Sequence, residues 1–148
     1  MEDYLTLKTT QAGINMIIRT LYGDSITFTK IVIGDGNPAN LENVTDLTHK
    51  MAEFGLTEAE AKEDYMLLTG SITSRDVPVS FYGYELGVYA KGSDGVEKLY
   101  AYRYSKSDVD YYPSSSSGRT LELTMSIVIQ IGNAQNVTKS GGQAVLGR

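Results

Sequence analysis

Few residues in this 148-residue sequence have the types and spacing that chemistry requires. The chain contains no cysteine and a single histidine, His49. These counts exclude thiol nucleophiles, zinc ribbons, iron–sulfur clusters and any site that needs two histidines from one chain. No serine lies in a nucleophile-elbow pattern and no triad partner lies near His49 in the sequence, so we interpret it as a surface or interface histidine.

Two groups of acidic and amide side chains could hold a ligand or supply catalytic carboxylates. The first group could offer oxygen ligands to calcium and comprises Asp35, Asn37, Asn40, Glu42 and Asp46. Its spacing does not match an EF-hand, so an ordinary turn is the preferred interpretation. The second could contain a carboxylate pair for glycoside hydrolysis and comprises Glu58, Glu60, Glu63 and Asp64. No aromatic platform for a sugar lies nearby, so a solvated turn is the preferred interpretation of this acidic group. We therefore predict no metal, no cofactor and no enzymatic activity.

Tyrosine is the residue type that best indicates a function, with 11 copies in the chain. Its side chain gives a large contact area, few rotatable bonds and a polar tip, which suits interfaces. Five tyrosines alternate along two predicted strands and are our interface candidates: Tyr82 and Tyr84, which share one face, and Tyr100, Tyr102 and Tyr104, which share another. The alternative is a half-buried sheet face within one chain.

Charge excludes some partners. Thirteen basic against eighteen acidic residues give a net charge of −5. Nucleic-acid binding and polybasic membrane binding both need clustered lysine and arginine, so we predict neither. No apolar run approaches the roughly 18 residues that span a bilayer, and the N-terminus lacks the pattern of a signal peptide. We expect a protein made in a cytoplasm, without membrane insertion.

The N-terminal region predicts a helix at about residues 10–22. Thr9 or Thr10 can cap it, and Gly23-Asp24 can end it. Four apolar residues recur at helical spacing and are expected to form its buried stripe: Ile14, Ile17, Ile18 and Leu21.

Strand patterns dominate the rest of the chain. We predict strands at 26–33, 50–57, 64–73, 79–90, 96–104 and 120–131, a polar loop at 34–48 and an acidic turn between the second and third strands. Gly92-Ser93-Asp94-Gly95 predicts a hairpin turn. Alternating apolar residues make 120–131 the clearest strand, which we expect at the centre of the sheet. The predicted fold class is α+β, mostly antiparallel β-sheet with one N-terminal α-helix packed on it.

Composition predicts one domain at 1–138. Residues 139–148 contain Gly141-Gly142 and small polar side chains, which predicts a flexible C-terminal tail or linker.

The order of three motifs carries a resemblance. A strand ends in Gly34-Asp35-Gly36, a later strand reads Glu85-Leu86-Gly87-Val88-Tyr89, and the final strand is followed by Asn133-Ala134. Over about residues 5–138 the chain resembles the N-terminal domain of the phage tail-collar fibre family.

This resemblance implies a structural function in a phage or prophage tail, where such a domain attaches a fibre to the baseplate. It implies a virion protein assembled in the host bacterial cytoplasm, with a baseplate protein and a tail fibre or adhesin as partners. It also implies a homo-oligomer, with a trimer favoured. Family members usually continue into a fibre shaft, so the sequence corresponds to either a truncated fibre or a short adaptor.

Two other function classes stay open. A carbohydrate-binding module for host-surface glycans could use stacked aromatic platforms, namely Tyr82, Tyr84, Tyr111 and Tyr112. The lack of tryptophan counts against it. A small hydrolase built on the acidic residues is the other alternative, and no sequence constellation supports it.

Overall fold

The computed structural model describes residues 5–62, 65–107, 109–114, 122–130, 137–139, 142–143 and 145–146. Within these residues a mostly antiparallel sheet carries one α-helix, which confirms the predicted α+β class. The helix is α1 (Gln11–Thr20) and the strands are β1 (Leu5–Thr6), β2 (Lys8–Thr9), β3 (Ile26–Gly34), β4 (Lys50–Ala61), β5 (Tyr65–Thr73), β6 (Phe81–Tyr82), β7 (Glu85–Lys91), β8 (Glu97–Tyr104), β9 (Tyr111–Tyr112), β10 (Glu122–Gln130), β11 (Val137–Lys139), β12 (Gly142–Gln143) and β13 (Val145–Leu146). Two short 3-10 turns lie at Leu41–Asn43 and Ser74–Asp76.

The main sheet runs in the order β1-β10-β5-β4-β3-β7-β8-β2, and β6 pairs with β9 in a separate two-stranded sheet. β3 lies at its centre because its apolar residues are continuous and both of its faces are covered. Ile31, Val32 and Ile33 are all buried, with Val32 directed away from its two neighbours. We call the side that packs against α1 the helix face, and the opposite side, covered by residues 35–49, the loop face.

The prediction that the final strand is central was wrong. β10 lies second from the edge, between β5 and the two-residue strand β1. Its alternation is real, since Met125, Ile127 and Ile129 are buried while Thr124 is exposed. Such alternation indicates a strand with only one fully covered face, which a strand near the edge can have and the central β3 does not.

α1 begins where the sequence predicts, because the Thr10 hydroxyl accepts a hydrogen bond from the Gly13 N–H at 3.1 Å. Its predicted buried stripe was wrong: Gly13, Met16 and Thr20 are buried, whereas three of the four predicted residues, Ile14, Ile18 and Leu21, are exposed. The helix is rotated by a close backbone approach, since a Cβ at Gly13 would lie 2.2 Å from the Tyr100 carbonyl oxygen. No helix in the described part of the chain is long and apolar enough to cross a membrane.

Two strand boundaries differ from prediction. β4 continues to Ala61, so residues 58–61 of the expected acidic turn are strand. The predicted strand 79–90 is split into β6 and β7 around Gly83. A Cβ at Gly83 would lie 2.7 Å from the Tyr112 ring, so β6 and β9 pack tightly at this break.

The C-terminal strands fill a fork in the main sheet. β3 pairs with β4 only from Lys30 onward, so the first residues of β3 leave one edge open. β11 pairs there in parallel, β12 returns antiparallel to β11, and β13 pairs with the end of β4. The described residues of the predicted tail are therefore in strands. The domain boundary at residue 138 stays a prediction.

Candidate functional site

A fully buried carboxylate lies at the centre of the loop face. Glu85 begins β7, its side chain has no exposure to solvent, and both of its oxygens accept hydrogen bonds. The Thr48 N–H donates to them at 3.0 and 2.9 Å, and the His49 N–H donates to Oε1 at 3.2 Å. The Tyr102 hydroxyl donates to Oε2 at 2.6 Å. Hydrogen bonds from these donors offset the cost of removing the carboxylate from water.

Glycines let the loop approach this carboxylate. A Cβ at Gly36 would lie 2.6 Å from Glu85 Oε1, and one at Gly34 would lie 2.3 Å from the His49 carbonyl oxygen. On β7, a Cβ at Gly87 would lie 2.5 Å from the Leu47 side chain. The Gly-Asp-Gly turn and the Glu-Leu-Gly strand of the sequence motifs therefore contact each other directly.

A second pair of contacts holds the same loop. The Tyr89 hydroxyl donates to Asp46, and Lys50 Nζ lies 3.2 Å from Asp46 and 5.3 Å from the centre of the Tyr89 ring. Burial pushes the pKa of Asp46 upward, but hydrogen bonds from Tyr89, Lys50 and the Leu47 N–H outweigh it and lower the pKa overall. Burial, and then the bond to Asp46, raise the pKa of Tyr89.

We name the Glu85 and Asp46 contacts together the loop clamp. Burial, followed by the bond to Glu85, also raises the pKa of Tyr102, so this hydroxyl keeps its proton and stays a donor. The carboxylate of Glu85 has no free face toward solvent from which it could act on a substrate. The clamp therefore joins the 35–49 segment to β7 and β8.

Three of the five candidate calcium ligands are engaged with protein groups instead. Asp35 contacts His49 Nδ1 at 2.5 Å, Asp46 belongs to the loop clamp, and Asn40 caps the Leu41–Asn43 turn through the Glu42 N–H. The described residues contain no cluster of three or more groups able to hold a metal. His49 is mostly exposed, in keeping with its interpretation as a surface residue.

A groove of about 1070 Å³ lies beside the clamp. The groove is enclosed by β2, the start of α1, the 41–46 loop and residues at both ends of β8. Tyr89, Leu99 and Tyr102 belong to the apolar cluster beneath it, and its lining includes both acidic and basic side chains, among them Glu42, Lys98 and Arg103. Such a mixed surface is typical of a site for a polypeptide or another polar partner rather than a small apolar ligand.

The five tyrosine candidates do not form two shared faces. Val88 pairs with Ala101 and Tyr89 with Leu99, so Tyr100 is an extra residue in β8 and forms a bulge. The bulge sends Tyr100 to the helix face, fully buried against Phe28, while Tyr102 points to the loop face. The expectation that Tyr100 and Tyr102 share a face was wrong.

Three of these tyrosines keep access to solvent. Tyr84 and Tyr104 are partly exposed. Tyr82 is 51% exposed and lies 5.1 Å from the ring of Tyr111, which is 52% exposed. Tyr112 is buried and stacks on Phe81. Interface roles for Tyr82, Tyr84 and Tyr104 stay predictions.

Two of the four acidic candidates, Glu58 and Glu60, lie in β4. Glu60 forms an ion pair with Lys62 at 3.0 Å, and Glu58 is an exposed strand residue. Glu63 and Asp64 lie outside the described residues.

Sequence reasoning missed the central role of Glu85. One signal was available, because Glu85 is an acidic residue inside the apolar stretch 81–90. Gly87 and Tyr89 follow it by two and four residues, so all three lie on one face of the strand. Its donors from Thr48 and His49 come from 37 and 36 residues away and could not be read from local sequence.

Comparisons with protein-family models, with curated proteins and with solved structures gave no match for this chain.

Proposed function

We propose that this chain is a structural attachment domain of a phage or prophage tail, which joins a tail fibre or receptor-binding protein to the baseplate. The proposal rests on the resemblance to the tail-collar fibre family. One structural observation supports it most: two of the three motifs behind that resemblance, Gly34-Asp35-Gly36 and the strand from Glu85 to Tyr89, meet in the loop clamp. The third, Asn133-Ala134, lies outside the described residues.

The clamp gives those motifs a physical reason to occur together. Because Gly34 and Gly36 have no Cβ, the carboxylate of Glu85 can lie against them, and Leu47 lies against Gly87 for the same reason. Gly34 and Glu85 lie opposite each other in the paired strands β3 and β7, so the two motifs form a single packing unit. Close packing explains the glycines of these motifs, and buried hydrogen bonds explain the glutamate. An attachment domain needs such a rigid interior to present its binding surfaces.

Its partners under this proposal are a baseplate protein, a fibre or adhesin, and further copies of the chain, with a trimer favoured. The groove beside the clamp is our candidate for the contact with one of the heterologous partners. Its wall is held by Glu85 and Asp46, so a partner would meet a preformed surface and lose little entropy on binding.

Tail particles from the strain that encodes the chain provide the test. We expect the chain to copurify with intact particles through sedimentation and to be present in a fixed ratio to the tail-tube subunit. Particles from a deletion strain should lack fibres. Particles that keep their fibres without the chain would refute the proposal.

A second candidate function, carbohydrate binding, is favoured by the exposed Tyr82 and Tyr111 pair. Two adjacent aromatic rings can stack on sugar faces, and tilted rings 5.1 Å apart would contact neighbouring sugar units. Glycan-array binding that is lost in Tyr82→Ala and kept in Tyr65→Ala, a partly exposed tyrosine of β5, would support this alternative.

A further inference from the structure

The outer side of α1 carries an apolar stripe that nothing in the described chain covers. Ile14 is 41% exposed, Ile18 is 48%, Leu21 is 73% and Tyr22 is 86%. Isolated exposed apolar residues are common on protein surfaces, but four on one short helix and its end form a patch. We call these four side chains the α1 stripe.

The helix is held so that the stripe cannot turn inward. Gly13 lies against the backbone of β8, and Thr10 donates its hydroxyl to the Leu99 carbonyl oxygen at 2.5 Å. The Thr10 N–H also donates to the Tyr100 carbonyl oxygen at 2.9 Å. Rotating α1 to bury Ile18 would break these contacts, so the stripe is a fixed feature of the surface.

The spacing of the stripe matches a helix–helix seam. Ile14, Ile18 and Leu21 are separated by four and then three residues, which is the alternating spacing of the a and d positions in coiled coils. A second helix with the same spacing can interdigitate with it. Copies of α1 itself meet that requirement.

Charge limits where a second copy can bind. The chain carries a net charge of −5, so two copies repel each other over most of their surfaces. Within α1, Arg19 is the charged side chain; it lies away from the stripe on the helix circumference and faces Asp94 at 3.8 Å. The stripe is thus a surface on which two acidic chains can meet without bringing like charges together.

The exposed area is sufficient for a modest interface. Four side chains exposed to this degree present on the order of 500 Å², within the range of the largest functional patches on monomers. Pairing two stripes would bury about 1,000 Å² in total, close to the lower limit for a specific interface. That area fits a reversible association.

We propose that the α1 stripe binds the α1 stripe of a second copy of this chain. This inference names the contact for the homotypic assembly in the proposed function and rests on that part of it. Two identical stripes that bind each other close a dimer, so under this inference the homo-oligomer is a dimer rather than the trimer that the resemblance favours. Attachment to a tail does not depend on it.

The test is sedimentation equilibrium of the purified chain and of two single variants. Ile18→Glu places a charge in the seam and should weaken self-association at least about 30-fold, as loss of a central interface residue does. Ala12→Glu adds the same charge to the same helix on the side away from the stripe and should leave self-association unchanged. Thermal melts should show that both variants fold like the parent.

A second measurement does not depend on weakening the protein. The chain has no cysteine, so Ile18→Cys introduces a single thiol. Under mild oxidation it should form a disulfide dimer at a protein concentration where Ala12→Cys stays reduced.

Two results would overturn the inference. One is a wild-type chain that remains monomeric up to millimolar concentration, which would also remove homotypic assembly from the proposed function. The other is self-association that Ile18→Glu leaves intact, which would move the interface elsewhere and leave homotypic assembly standing. Neither result bears on copurification of the chain with tail particles.

Discussion

Glu85 shows how a buried charge can organise a loop. Its carboxylate accepts from two backbone N–H groups and from Tyr102, so the 35–49 segment is tied to the sheet at Thr48 and His49. Removing a buried acceptor leaves donors unsatisfied, which costs more than the net value of the bonds themselves.

Glu85→Gln tests this role. The amide keeps one acceptor but directs an NH₂ group at donors, so we expect a loss of roughly 2–4 kcal/mol in unfolding free energy. Urea unfolding followed by circular dichroism measures it. Glu42→Gln makes the same change at an exposed site and should have almost no effect. Equal losses in both variants would contradict the clamp.

At the scale of elements, the position of α1 depends on one small residue. Gly13 allows the helix backbone to lie against the Tyr100 carbonyl, and this contact chooses which helix face is buried. Alanine is the better helix former by about 1 kcal/mol, so intrinsic propensity alone favours replacing the glycine.

We expect Gly13→Ala to lower stability by roughly 1–3 kcal/mol despite that preference, because the added methyl group forces α1 away from β8. Gly55→Ala is the matched control, since nothing lies within 4 Å of a Cβ there. Thermal melts of the two variants give the comparison. A Gly13→Ala variant as stable as the parent would mean that the helix is not packed this closely.

Local signals in the sequence predicted much of the element order. The Thr10 cap, the Gly92–Gly95 turn and the apolar run that ends at Ile33 each act over a few residues, and the corresponding helix, hairpin and strand are present. The helix face was not predictable in this way. It depends on a contact between Gly13 and Tyr100, which are far apart in sequence.

The candidate site was less predictable for the same reason. Simple alternation along β8 predicts that Tyr100 and Tyr102 lie on the same face of the strand. A bulge at Tyr100 puts them on opposite faces, and this bulge depends on the pairing of β8 with β7. The partners of Glu85 come from a loop more than thirty residues away. Pattern reasoning finds elements, and the contacts between elements then decide which side chains meet.

At the scale of the whole molecule, the two ends of the chain should differ in importance. Deleting residues 139–148 removes short strands that pair at the fork between β3 and β4, so we expect the melting temperature to fall by a few degrees. Deleting residues 1–22 removes α1 and its core residue Met16 and should abolish folding. An unchanged melting temperature after the C-terminal deletion would favour the flexible tail predicted from sequence.

Alkaline pH should destabilise the whole fold through its buried tyrosines. Burial raises the pKa above the ordinary value of 10.0 for Tyr89, Tyr100, Tyr102 and Tyr112. A pKa that is higher in the folded state gives stability that is complete below the unfolded value and declines as pH rises above it. Unfolding free energy should therefore decrease above about pH 10. Urea unfolding at stepped pH, with tyrosinate absorbance recorded in parallel, would show no such decrease if these side chains were exposed.

The position of the chain in a tail is the most direct test of its proposed function as an attachment domain. Antibodies against the purified chain, coupled to gold, can be applied to tail particles from the encoding strain and viewed by electron microscopy. We predict label at the distal end of the tail, where fibres meet the baseplate, and no label on particles from the deletion strain. Label along the tube or at the head-proximal end, or intact particles without label under conditions that expose the baseplate, would contradict the proposal.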